Sequence, residues 1–326
     1  MTSIVEASYT KASYRNRLFA FFTDLMCMVV LGLIGVFLTQ TIMNNVSFYK
    51  KANQTINDIQ LSSHLYYERD DGTTKLLCDY LLIKTDNDYE SVNKQLDEAL
   101  TEFYTDSKYF IQDDPKSGLY LYNTLKIPEG ETASSLFIFE DDTHSKIVER
   151  NDASKKDIYN FYVKVMSENA VHYVIDNANY ISASRTISLT YYFIILLLPI
   201  SLSVIIFELI IPLCLRRGKK TIGKLLFKIA VLDVQGLSCS WKRYCLRFIF
   251  FFFIEFLLSI VTFTIPLIIS FTMAVFTKTG QSLHDYVINT YVVEAPMSSV
   301  MITKEEYIAK TKKSSEFVLD KDDVVL

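Results

Sequence analysis

Three carboxylates stand in apolar surroundings. Asp24, Glu208 and Glu255 lie in "FAFFTDLM", "IIFELIIP" and "FFFIEFLLS", and an ionised side chain near the centre of a membrane helix costs at least about 2.5–3.5 kcal/mol on the insertion scale. Each therefore needs a base, a water-filled cavity or a proton. Bases lie about two helical turns away. Arg17 precedes Asp24 by seven residues, so the two share a helix face about 10.5 Å apart. Arg216 follows Glu208 by eight residues, and Arg247 precedes Glu255 by eight, or about 12 Å at the helical rise. Asp24 and Glu208 then fall at similar depth in the cytoplasmic half of a bilayer. Two such acids on neighbouring helices can share a proton or a small cation, or each can meet a base. The alternative is a charge network that only fixes how helices pack, with Arg17 and Arg247 anchoring at lipid headgroups.

The elements that must hold these groups are visible as apolar runs. Half of the 326 residues are hydrophobic, with 23 Phe and 21 Tyr, and the apolar ones pool at 18–38, 187–215 and 244–277. Each run reaches the roughly 20 residues a bilayer crossing requires. No small-residue cleavage pattern follows the first run, which therefore reads as an uncleaved span. Lys11, Arg15 and Arg17 precede it, and "LRRGKKTIGKLLFK" follows the second, so both flanks belong in the cytoplasm. Residues 44–186 then lie outside. Their 24 acids and 15 bases give a net charge of −9 against +5 for the remainder, which recovers the −4 of the whole chain.

The expected order is a cytoplasmic N-terminus (1–17), transmembrane helix 1 (18–43), an extracytoplasmic inserted domain (44–186) and transmembrane helix 2 (187–215). A cytoplasmic basic loop with a β-hairpin (216–243), the third run (244–277), a closing segment (278–295) and a flexible cytoplasmic tail (296–326) follow. The third run is long for one span and short for two. Strands expected in "LLFKIAVLDVQGLSCSW", around a turn at Asp233–Gly236, and in "NTYVVE" flank it. If these pair, both ends of the run lie on one face and the run is a helical hairpin or re-entrant element broken near Pro266; otherwise it is one long tilted span. The fold class expected is an integral membrane, mainly α protein with two long transmembrane helices, this hairpin or long span, a small cytoplasmic β element and a mostly α-helical (α+β) insert. In the insert, "ESVNKQLDEALTEFYTDSKYF" and "DASKKDIYNFYVKVMSENAVHYVIDNANYI" read as helical, "KLLCDYLLIKT" and "SSLFIFEDD" as β-prone, with turns at Pro115–Gly118 and Pro128–Gly130.

Several chemistries find no support. Only Cys78 of the five cysteines falls in 44–186, which leaves no disulfide there, and neither Cys/His spacing nor an EF-hand pattern in "FEDDTH" marks a metal site. The four histidines, at 64, 144, 172 and 284, are scattered and read as ordinary surface or interface residues. No Gly-rich phosphate loop, HExxH or GxSxG is present, so neither an enzyme nor a cofactor is expected. The basic loop has a topological and lipid-headgroup explanation and gives no reason to expect nucleic-acid binding.

Four short motifs, in order, resemble the RDD family of membrane proteins: "YRNRLFAFFTDLM", "TIGKLLFKIAVLDVQG", "RYCLRFIFFF" and "GQSLHDYVINTYVVE". The resemblance covers about residues 10–40 and 187–295. By position it implies that Arg17, Asp24 and Asp285 are the arginine and two aspartates of the family name. Gly223, Lys224 and Arg247 fit accompanying positions, and Glu208 fits a frequent acidic position in the second span. Ile222 stands where the family usually has proline, and the insert departs from its usual short connection. The resemblance implies the plasma (cytoplasmic) membrane of a bacterium and a transport role, with cation/proton exchange suggested for some members.

Two functions follow as expectations. In one, Asp24 with Glu208 binds a proton or small cation, Arg17 and Asp285 form a cytoplasmic gate, and the small number of spans demands a homo-oligomer or a partner membrane subunit. In the other, the spans are a platform and the inserted domain recognises a ligand or a protein partner.

Overall fold

The computed structural model describes residues 10–85, 88–111, 114–140, 146–277, 279–296 and 299–309. It divides into two compact units, one of Met1–Gln40 with Ile194–Leu326 and one of Thr41–Phe193. Among the described residues three helices are long and apolar enough to cross a membrane: Tyr14–Met43, Ala178–Cys214 and Trp241–Val261. The first is α1. Met26, Leu33 and Phe37 stay exposed along it, as on a helix solvated by lipid tails.

The unit Thr41–Phe193 has its own core. It contains α2 (Ser47–Ser62), a hairpin of β1 (Tyr66–Glu68) and β2 (Thr74–Leu76), then α3 (Leu77–Lys84), α4 (Tyr89–Thr105) and α5 (Leu119–Lys126). A second hairpin, β3 (Phe137–Phe139) with β4 (Ile147–Glu149), precedes α6 (Lys155–Lys164), which runs through a widened π-helical turn at Val165–Ala170 into α7 (Val171–Ile175). The α4 helix is amphipathic: Val92, Leu96, Ala99, Leu100 and Phe103 are buried at helical spacing, and the Asp88 side chain caps its start by accepting from Glu90 N. They pack with Tyr122, Phe137, Ile158, Tyr162 and Met166. The β-prone "KLLCDYLLIKT" is strand only at its start, because Cys78 and Leu81, three residues apart, both turn into this core on a helix. Part of "FEDDTH" falls at 141–145, outside the described residues.

The other unit is organised on α1 and the second long helix, α8 (Ala178–Cys214), whose residues from Ile194 onward belong to it. Gly35 lets α1 approach Pro199 so closely that an added Cβ would stand 2.8 Å from the proline Cβ. Ser203 Oγ donates to the Met28 carbonyl at 2.6 Å. Widened turns at Thr190–Leu197 and Ile206–Ile210 precede Pro199 and Pro212, whose rings cannot donate to or fit beneath a regular turn. After α8 come α9 (Ile222–Leu226), β5 (Ile229–Leu232), α10 (Trp241–Val261), α11 (Ile265–Phe276), α12 (Leu283–Ile288) and β6 (Tyr291–Glu294).

β5 and β6 pair antiparallel with Ala230 opposite Val293. The second strand expected after Asp233 is reduced to one bridge, Leu232 to Ser238, because the Asp233 carboxylate accepts from Gln235 N and Leu237 N and holds a tight turn instead. The apolar run 244–277 is two helices, not one span. Phe263 and Thr264 take φ of 51° and 67°, and the break falls there, ahead of Pro266. That proline opens α11, where its missing N–H is not needed. The two helices touch, with Leu267 N donating to Ser259 Oγ at 3.3 Å. The segment 296–326, expected to be a free tail, is anchored at its start: Val300 is fully buried and Met301 O accepts from Ser238 N at 2.8 Å. Residues 310–326 lie outside the described residues.

Candidate functional site

Beside α1, α8, α10 and α12 lies a cavity of about 420 Å³ lined by Arg17, Asp24, Glu208, Lys224, Arg247, Glu255, His284 and Asp285 among apolar side chains. All eight residues expected from sequence lie in one unit, and every one except Gly223 lines this cavity. Gly223 N donates to the Asp24 carboxylate.

Their partners are not those that helix spacing suggests. Asp24 does not pair with Arg17. Its Oδ2 accepts from Thr221 Oγ1 at 2.5 Å and its Oδ1 from Gly223 N at 2.7 Å, so a side chain from α1 receives the unpaired donors at the start of α9. Gly223 is there for space: a Cβ would overlap the Ala20 carbonyl of α1 and stand 2.9 Å from Asp24 Oδ2. Arg17 instead donates to two backbone carbonyls, Gly280 through Nη1 and Val292 through Nη2 at 2.5 Å, tying α1 to the segment around α12 and β6. Its buried Nε has no hydrogen-bond partner among the described residues. Glu208 meets Lys224 Nζ at 3.4 Å, while Arg216, the base expected for it, is exposed.

The densest part is the meeting of α10 and α12. Arg247 Nε donates to Asp285 Oδ1 at 2.7 Å, and both side chains are almost fully buried. Asp285 also accepts from Ser282 Oγ at 2.6 Å and Thr290 Oγ1 at 2.8 Å. Burial alone would raise the Asp285 carboxyl, but the Arg247 charge and the hydrogen bonds from Arg247 and Ser282 hold it well below the usual carboxylate range. Glu255, inside the widened turn Phe251–Leu257, accepts on Oε1 from His284 N and His284 Nδ1, each at 2.8 Å. Among the described residues its Oε2 receives no hydrogen bond.

His284, one of four histidines scattered along the chain, joins the two acids. Its Nε2 lies 2.7 Å from Arg247 Nη2. Arginine only donates, so Nε2 must accept, and the ring proton resides on Nδ1, directed at Glu255. The available signal was its place directly before Asp285 in "GQSLHDY". Thr221, Ser282 and Thr290 were missed as well, since short hydroxyl residues carry no periodic signature. Among the described residues no three His, Cys, Asp or Glu side chains are placed to hold a metal ion.

No curated protein and no solved structure matches the chain. The three apolar helices fit a membrane protein. One family model does match, over less than half of the chain: it includes Glu208, Gly223, Lys224, Arg247, Glu255 and Asp285 and leaves Arg17 and Asp24, on α1, outside. Residues 163–289 match the model of the RDD family.

Proposed function

We propose that the protein moves a small monovalent cation or a proton across the plasma membrane through the charged cavity. The observation that carries this reading is charge balance. The cavity walls bring together four carboxylates, Asp24, Glu208, Glu255 and Asp285, but only three fixed cations, Arg17, Lys224 and Arg247, while His284 Nε2 is taken up as an acceptor from Arg247. One negative charge is left over in a low-dielectric setting, where an uncompensated charge is strongly disfavoured. A single proton or monovalent cation restores neutrality, and Glu255 Oε2, without a donor, is the natural place for it. The other charges hold the helices around this site. In the same reading the N-terminus, the 216–243 loop and the sheet face the cytoplasm, residues 44–186 lie outside, and the transporting unit is an oligomer or includes a partner subunit.

The test is cation-dependent proton flux in proteoliposomes with Na⁺, Li⁺ and K⁺. Glu255→Gln keeps an acceptor for both His284 bonds and removes only the surplus charge. Flux is expected in the wild type and is expected to fall to the level of empty vesicles in Glu255→Gln, with both proteins equally folded. Equal flux in the two would remove the surplus charge from the mechanism, and no flux in either would sink the transport reading.

The closed core of the other unit favours a second role, recognition by a self-contained module. Residues 44–186 expressed alone are expected to give a soluble product with cooperative thermal unfolding. A product that aggregates or unfolds without a transition would tie this segment to the spans.

A further inference from the structure

The charged cavity is larger and more apolar than a bare ion requires. Its volume of about 420 Å³ is many times the roughly 30 Å³ that one water occupies, and it falls among clefts that take small organic ligands. One side is apolar: Leu18 and Phe21 from α1, Phe251 from α10, and Leu267, Ile268 and Phe271 from α11 line it. Phe21, Ile268 and Phe271 are each about half exposed, so the cavity reaches the surface of this unit between two apolar helices. The other side is polar and, with one exception, closed. Asp24 is satisfied by Thr221 and Gly223, Glu208 meets Lys224, and Asp285 meets Arg247. Glu255 is 1% exposed, and its Oε1 is taken by His284. Its Oε2 has no donor among the described residues, yet unlike Arg17 Nε it is not sealed from water, so it opens into the cavity that the side chain lines. Phe251, four residues earlier, stands edge-on to His284 with ring centroids 5.5 Å apart, which puts an aromatic wall beside the free oxygen.

We infer that this cavity binds a monovalent organic cation with an apolar body, of the quaternary-ammonium class. The cationic head meets Glu255 Oε2 and the Phe251 ring, since a carboxylate and an aromatic ring together favour a poorly hydrated cation. The apolar body covers the α1 and α11 side chains. A proton or a hydrated alkali ion would neutralise the same carboxylate but leave that wall uncovered. The surplus negative charge is that of the transport reading, on which this ligand class rests; binding is measured at equilibrium and flux across a membrane, so either can fail alone.

The probe is benzyltrimethylammonium, titrated by calorimetry into the full-length protein in detergent. It is expected to bind saturably with one site per chain. Tetramethylammonium, which has the charge without the ring, and benzyl alcohol, which has the ring without the charge, should each bind about tenfold more weakly or less tightly still. Glu255→Gln, which keeps an acceptor for His284, should weaken the probe about tenfold or more. Phe271→Ala, at a half-exposed position, should fold as the wild type does and weaken it about three- to tenfold. Absence of saturable binding overturns the inference, as does binding indifferent to both variants, and benzyl alcohol bound as tightly as the cation would mean a purely apolar pocket and overturn it too. Glu255-dependent binding without proton flux in vesicles would uphold the site and remove transport. Proton flux without binding of the probe would leave transport standing and overturn the inference.

Discussion

Replacing Arg247 by leucine is expected to destabilise the protein by about 3–5 kcal/mol, the usual consequence of removing one partner of a buried ion pair. Leucine leaves the Asp285 carboxylate buried without its base and the His284 Nε2 without its donor. Asp285→Leu should cost a similar amount for the converse reason. The double substitution should be less damaging than either single one, because two apolar side chains restore neutrality without hydrogen bonds to satisfy. Arg247→Lys should recover little, since one ammonium cannot reproduce the planar guanidinium that meets an aspartate and an imidazole together. Thermal unfolding in detergent of the wild type and the four variants tests this, and simple additivity of the two single losses would mean that the pair does not act as a unit. A pH dependence follows. The Asp285 carboxyl is held below its ordinary value in the fold, so its stabilisation is fully present above the unfolded value of about 3.9 and is lost as pH falls below that toward the folded value. The wild type should therefore lose stability on acidification in a range where Asp285→Leu loses less.

The long helices were legible because a bilayer sets a length, and three runs met it. The β5–β6 pair was legible because β-branched runs flank the third apolar stretch. Pairing of charges was not. Spacing along a helix places Arg17 and Asp24 on one face and Arg247 above Glu255, but residues two turns apart are about 10–12 Å apart along the axis, and nearer partners come from other segments. Asp24 is satisfied by Thr221 and Gly223, nearly 200 positions away in sequence, and Glu255 by His284. Helical periodicity cannot name a neighbour on another helix. The break at Phe263–Thr264 was hidden for a different reason: nothing in either residue announces a positive φ, whereas Pro266 advertises a break but in fact suits the first turn of the next helix.

Gly223→Ala is expected to cost about 3–5 kcal/mol, although it adds one methyl group and removes no charge. The added Cβ would overlap the Ala20 carbonyl, which is backbone and cannot swing aside, and would crowd Asp24 Oδ2. Relief requires α1 and α9 to separate. Overpacking of this kind costs about 1–3 kcal/mol, and separation also lengthens the two hydrogen bonds to the Asp24 carboxylate, where bonds to a charged group contribute about 1.5–3 kcal/mol. Gly32→Ala is the matched control. There an added Cβ meets nothing nearer than 3.7 Å, at Ile200, and a mid-helix alanine is favoured over glycine by up to about 1 kcal/mol. Thermal unfolding of the two variants should therefore move in opposite directions. Gly223→Ala as stable as Gly32→Ala would mean that α1 is not held against α9 at this distance. A destabilised Gly223→Ala that also lost flux would show transport failing while every charge of the cavity is still present, because the position of the Asp24 carboxylate depends on the glycine that lets α1 approach.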